Sequence, residues 1–337
     1  MKRNVMVIML MSIVLVTACG SNVESVKKMA LDVPARSEKE AVSVEKEEKE
    51  DQEDQEDQEE RIYSVGDRIV FDDKYALTIV GVTETAERNE FSEKEVDQVL
   101  IIEYQYENLN SNEEIYISEM EFKLVDEGGN MMDTYPVEVH HMAEYTPKGT
   151  KTLASFAVGT TAKSGSIVMD YYDNFFSSES DCSFNLVVGE TADVNLDGEI
   201  PEFGNTFKLG EIIEVTTEEG NYTITIDEIR KTDERNEYDK RKPEAVYEIT
   251  YTYSNISRDS TLYIDDYSFI LIDEYGNTGY SYPNFSDVYP TETVKGARST
   301  AVMYQAAHKD SDKILLSYKD NMFSTVSDFF IELNEIR

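Results

Sequence analysis

Apolar and polar residues alternate along much of this chain. Leu100, Ile102, Tyr104 and Tyr106 fall on one side of an extended segment, while Glu103 and Gln105 fall on the other. Successive side chains of a strand point to opposite faces, so this alternation predicts a strand with one face buried. Similar short runs occur near 67 to 72, 76 to 83, 115 to 125, 151 to 158, 166 to 171 and 182 to 188. Turn residues such as Gly128-Gly129-Asn130 and Pro147-Lys148-Gly149 separate them. Some seven short strands in about 130 residues predict a β-sandwich. Helical spacing is sustained nowhere; a single turn of helix is predicted at Asp173 to Ser178 and at its counterpart later in the chain.

The pattern is written twice. Residues 99 to 130 lie over 246 to 277 at an offset of 147 (246 − 99) without a gap, matching Ile102 to Ile249, Tyr104 to Tyr251, Tyr106 to Tyr253, Asn108 to Asn255 and Gly129-Asn130 to Gly276-Asn277. That period is too long for a solenoid unit and has the size of a self-sufficient domain. The offset is 144 at Gly66/Gly210 and 147 by Tyr75/Tyr222, which places a three-residue insertion, read as a hairpin, near Glu218 to Asn221. Arg88-Asn89-Glu90 recurs as Arg235-Asn236-Glu237. An arginine-to-carboxylate clamp on a loop is the expected cause, and a shared ligand the alternative.

The start of the chain reads differently. Met1-Lys2-Arg3 precedes an apolar stretch from Val5 to Val16, too short for the roughly 20 residues of a membrane span, and Val16-Thr17-Ala18-Cys19 follows. This segment resembles the lipobox of bacterial lipoproteins, which implies that Cys19 is the lipid attachment site and the mature N-terminus. Residues 1–18 are then a signal peptide and 19–60 a disordered acidic tether ending in repeated Asp-Gln-Glu triplets. Residues 61–190 form a first domain, 191–205 a linker and 206–337 a second domain. Cys182 is the sole other cysteine. Its counterpart is Phe329 (182 + 147), so it is expected to be a small buried apolar side chain.

Charge narrows the partners. The whole chain carries −38 and residues 1–61 carry −6 (nine Lys/Arg against fifteen Asp/Glu), which leaves −32 on the two copies. Such a surface opposes nucleic acid and anionic lipid heads and attracts cations or basic proteins.

A family resemblance rests on the order of motifs. A Val-Gly-Asp start, a tyrosine-rich strand ending in Asn108 (and Asn255), a Phe-x-Leu-x-Asp strand leading to Gly129-Asn130, then Lys148-Gly149 and a strand with Phe156 follow one another. Together they resemble the uncharacterised immunoglobulin-like domain of Gram-positive lipoproteins, itself similar to a small secreted immunoprotective antigen of mycobacteria. The resemblance implies two tandem immunoglobulin-like β-sandwiches, all-β, on a lipid-anchored protein at the extracytoplasmic face of the cell membrane. It implies no catalytic residue.

Candidate chemistry is sparse. Asp193, Asn195, Asp197 and Glu199, with Gly198 at the bend, present oxygens as a calcium loop does, although position 12 is Gly204 and Pro201 opposes a following helix. Ca²⁺ is therefore a candidate ligand. His140 and His141 read as a surface pair, since neighbours on a strand point apart and the second copy has Asp287-Val288 there. Tyr104, Tyr106, Tyr251 and Tyr253 belong to the core, whereas Tyr267, Tyr280, Tyr282 and Tyr289 break the alternation and are candidates for a contact surface. Gly-x-Ser-x-Gly, a phosphate loop, a Cys/His dyad and a zinc pattern are all missing from the sequence. The expected function is binding, by a monomer, of an extracytoplasmic protein or envelope component. The competing readings are a hydrolase using acidic residues in a cleft between the domains, and a passive surface spacer.

Overall fold

The computed structural model describes residues 23–28, 62–174, 176–334 and 336. Residues 1–18, read above as a signal peptide, Cys19 and the Asp-Gln-Glu run lie outside the described residues. Within them the chain is all-β. The strands are β1 (Val23–Lys28), β2 (Ile62–Tyr63), β3 (Arg68–Phe71), β4 (Tyr75–Thr85), β5 (Gln98–Asn108), β6 (Phe122–Asp126), β7 (Met131–Thr134), β8 (Lys151–Thr160), β9 (Ser166–Tyr171) and β10 (Cys182–Val187). The second half contributes β11 (Thr206–Lys208), β12 (Ile213–Thr217), β13 (Gly220–Thr232), β14 (Ala245–Asn255), β15 (Phe269–Asp273), β16 (Tyr280–Ser281), β17 (Arg298–Ala307), β18 (Ile314–Tyr318) and β19 (Phe329–Leu333).

In the first half the strand order is β2-β10-β9-β6-β7-β8-β5-β4-β3. It makes two four-stranded layers joined along one side by β7, which pairs with both β6 and β8. The second half repeats this strand for strand, with β12-β13-β14-β17-β16 in one layer and β11-β19-β18-β15 in the other. An isolated bridge between Ile272 and Thr278 stands where β6 meets β7. Each half closes its layers over its own core, one drawn from Ile69 to Leu186 and the other from Phe207 to Leu333. Tyr104, Tyr106, Tyr251 and Tyr253 are all buried in these cores, as their alternation requires. A buried phenol needs a partner for its hydroxyl. Tyr104 donates to the Ile117 carbonyl and Tyr251 to that of Ile264, both at 2.8 Å.

The motifs common to both copies have local explanations. The amide of Asn108 donates to the Glu113 and Thr146 carbonyls, and that of Asn255 to the Ser260 and Thr293 carbonyls, tying a loop across each sandwich. The Lys-Gly turn follows because Gly149 and Gly296 adopt φ of +82° and +80° while donating to the Asn108 and Asn255 carbonyls. Arg88 and Arg235 do not clamp carboxylates. Their guanidiniums donate to main-chain carbonyls, Thr85 and Glu87 in one copy and Thr232 and Glu234 in the other, because the loop presents its own unpaired oxygens at that distance.

Three local expectations are corrected. The run from 115 to 125 is a strand only from Phe122, since Ser118 and Glu121 form a capping box that winds Glu119–Glu121 into a 3-10 turn. Asp173 to Ser178 holds a hydrogen-bonded turn, Ser177 N–H to Asn174 carbonyl at 2.7 Å, in place of the predicted helix. The third correction falls within 19–60, read above as a disordered tether, where Val23–Lys28 forms β1, antiparallel to β12. An edge strand offers unpaired amides and carbonyls to any extended backbone, so composition alone does not exclude such pairing. Cys182 packs against the first core, and burial pushes its thiol up to about 12.

Candidate functional site

The two halves meet along a bonded seam. Lys151 N–H donates to the Gly276 carbonyl at 3.0 Å, the Lys151 carbonyl accepts from Thr278 N–H at 2.9 Å, and the hydroxyls of Thr152 and Thr278 lie 2.6 Å apart. A second junction buries charge. Lys319 is ion-paired to Glu114, with side-chain exposures of 5% and 4%, and its ammonium lies over the Tyr145 ring. Glu114 N–H also donates to the Thr325 carbonyl at 2.6 Å, and its carboxylate accepts from Ser327. Beside this junction burial raises the Glu144 carboxyl to about 8 against the opposing pull of Lys319.

Against this seam lies a cleft of about 440 Å³. Its floor is Tyr251, Phe269 and Met303 from the second core, its rim is Tyr267, Asn284 and Tyr289, and Met142 to Glu144 of the first half close one side. The four tyrosines singled out from the sequence, Tyr267, Tyr280, Tyr282 and Tyr289, are thus brought together around one cavity. They divide by role. Tyr280 and Tyr282 are 5% and 3% exposed and shape the wall, whereas Tyr267 and Tyr289 are 74% and 61% exposed and free to meet a ligand.

Fixed polar groups edge the cleft. Tyr282 is held by the main-chain N–H of Asn236, which donates to its hydroxyl at 3.0 Å. Arg241 stacks on the Tyr280 ring at 4.8 Å and is gripped from behind by Asp239, at 2.9 and 2.8 Å, so its plane is set in advance. Ser281 donates to Asp266. The side-chain oxygen of Gln305 and the side-chain nitrogen of Asn284 are buried with no hydrogen-bond partner. Buried amides left unpaired are costly, and here an acceptor and a donor both line the cavity.

The first half has the same cavity, at about 570 Å³, with other chemistry. Tyr104, Glu119, Tyr135 and Lys94 line it where Tyr251, Asp266, Tyr282 and Arg241 line the second. At the 147 offset, however, Val137, Met142 and Ala157 stand where the second copy has Asn284, Tyr289 and Tyr304. The cavity therefore comes with the fold, and the second copy has been given aromatic and amide groups. Met142 and Ala143 line both cavities, which makes them the middle of one groove across the two halves.

The calcium-loop residues lie apart from this groove, on the linker. The Asp197 carboxylate is 2.6 Å from the Lys309 ammonium, which holds it below the usual carboxylate range, and the Asp197 carbonyl accepts from Lys151. The Asn195 side chain accepts from Asp197 N–H at 3.1 Å. Gly198 is needed for close approach, since a Cβ there would stand 2.5 Å from the Tyr275 carbonyl oxygen. Among the described residues no three His, Cys, Asp or Glu side chains, Asp193 and Glu199 included, converge on one point.

Sequence reasoning missed three groups at the seam. His308, Gln305 and Asn284 stand alone in the sequence, and only the fold carries them to the cavities. Misalignment of type between the copies, as with Ala157 against Tyr304, is the one signal in the sequence that points toward this face.

No family model matches this chain, and no curated protein matches it. Among solved structures it is similar to ycdA of Bacillus subtilis, provisionally described as a lipoprotein, with 12% identity and a TM-score of 0.29. The match covers 34% of this chain, and the chain spans 37% of that neighbour's length. At that level the likeness bears on neither fold nor activity. No helix among the described residues is long and apolar enough to cross a membrane.

Proposed function

We propose that this protein is a lipid-anchored binding module of the extracytoplasmic face, built from two immunoglobulin-like sandwiches and anchored through Cys19. The observation that carries the binding reading is the groove shared by the two copies, with exposed Tyr267 and Tyr289 and the unpaired side-chain nitrogen of Asn284 and oxygen of Gln305 at its second-copy end. Flat apolar faces edged by hydroxyl or amide groups are what such a surface recognises, which fits an envelope component or an extended protein segment. The anchor and tether are supported by the Val16 to Cys19 segment and the acidic run after it.

Site-directed photo-crosslinking on native membranes tests this reading. A photoreactive group at 267 or 289 is expected to capture a discrete partner, while one at Val187, exposed on the first half, captures none. Equal labelling from all three positions, or none from any, overturns it.

One observation favours a hydrolase as the second reading. The Glu144 carboxyl, at about 8, keeps its proton at neutral pH as a general acid does, and Asp266 lines the same cleft. Under that reading Glu144→Gln abolishes turnover of an envelope polymer while binding persists; under the binding reading there is no turnover to lose.

A further inference from the structure

All three histidines of the chain, His140, His141 and His308, line one cavity of about 740 Å³ between the two halves. His140 and His141 do not lie on a strand, so their rings are not forced apart, and the third comes from 167 positions away (308 − 141). The rings of His141 and His308 are 5.0 Å apart at 62°. Nε2 of His141 is 3.2 Å from the Glu103 carboxylate, and its Nδ1 is buried without a hydrogen-bond partner.

We propose that His141 and His308 bind a divalent transition-metal ion of the zinc class across the seam, Nδ1 of His141 being one ligand and a ring nitrogen of His308 the other. Two imidazoles on one tetrahedral ion, with metal–nitrogen bonds of roughly 2.0–2.1 Å, have ring centres about 5 Å apart. The pair already stands at that separation. Glu103 accepts a hydrogen bond from the opposite nitrogen, the arrangement that fixes the tautomer and orientation of a ligating histidine.

The fold does not require these groups. At the 147 offset Glu103, His141 and His308 correspond to Thr250, Val288 and Thr161, so the set belongs to the seam and not to the sandwich. With no third side chain converging among the described residues, the remaining coordination positions fall to water. That predicts an exchangeable ion of moderate affinity, and imidazole donors select zinc, cobalt, nickel or copper over calcium or magnesium. Bound there, the ion links the two halves. The Tyr280 ring, 5.7 Å from His308, lines this cavity and the tyrosine cleft, so the ion also braces the cleft wall.

The test uses the untagged full-length chain in detergent, stripped with chelator and titrated with Co²⁺ by visible absorption and with Zn²⁺ by calorimetry. One ion per chain is expected. His141→Gln and His308→Gln each weaken it at least tenfold, Glu103→Gln weakens it less, and Asp193→Ala leaves it unchanged. Absence of saturable binding, or an unaltered isotherm in the His141→Gln/His308→Gln double variant, overturns the proposal. Should those variants fail to fold, diethylpyrocarbonate labelling of the wild-type chain decides: Zn²⁺ protects two of the three histidines, and failure to protect any overturns it.

Discussion

The Tyr253 hydroxyl donates to the Thr291 carbonyl at 2.7 Å and accepts from the Thr291 amide at 2.8 Å. One phenol thereby satisfies both main-chain groups of a residue 38 positions away and fixes the loop that carries Tyr289. Tyr106 holds Glu144 in the same way in the first half, at 2.6 and 2.9 Å. Tyr253→Phe leaves the Thr291 N–H unpaired, while the Thr291 carbonyl keeps the Thr293 hydroxyl at 2.7 Å, and is expected to cost about 1–3 kcal/mol. Urea denaturation measures it, and a midpoint equal to wild type rules the clamp out as a source of stability.

The junction ion pair behaves asymmetrically. Lys319→Met alone strands the Glu114 carboxylate away from water and is expected to destabilise by about 3–5 kcal/mol. Adding Glu114→Gln removes the stranded charge, and the double variant is expected to recover most of that loss. A double-mutant cycle showing no coupling contradicts the pairing.

Stability should fall as pH rises across the Glu144 transition. Its folded carboxyl, at about 8, lies above the ordinary value near 4.5, so the folded state binds the extra proton between those limits. The group therefore disfavours folding increasingly as pH climbs from about 4.5 to 8. Glu144→Gln carries no such dependence. The difference in urea midpoint between variant and wild type should grow in the variant's favour from pH 5 to pH 8; a constant difference refutes the assignment.

Calcium at the linker has to displace Lys309 from Asp197. Wild-type calorimetry with Ca²⁺ is expected to give the same heat with and without Asp193→Ala, whereas Lys309→Ala frees the Asp197 carboxylate and raises any affinity of the loop. Loss of wild-type heat in Asp193→Ala instead establishes the calcium loop.

Much of the fold was legible because it is written in side-chain period. Alternation at Leu100 to Tyr106, glycine in the Lys148-Gly149 turn and the gapless repeat at an offset of 147 residues depend on neighbours in sequence, and strand, turn and duplication follow from them. Tyr267, Tyr280, Tyr282 and Tyr289 stood out for the complementary reason, as departures from that alternation, and the fold brings them to one cavity. Where strands begin was less so: Ser118 and Glu121 compete locally for the backbone and shorten β6, and the β1 pairing uses main-chain groups that no side chain announces.

By itself, then, the sequence determined an all-β chain written in two matching halves, with a lipobox-like start and a strongly acidic surface. Tertiary structure alone decided what meets at the seam. Met142 joins two cavities, Lys319 is buried on Glu114, and His141 faces His308, because packing of one half against the other carries residues more than a hundred positions apart to one surface. Side-chain periodicity encodes which face a residue takes, but not which distant residue takes the place opposite, and the groove is made of such placements.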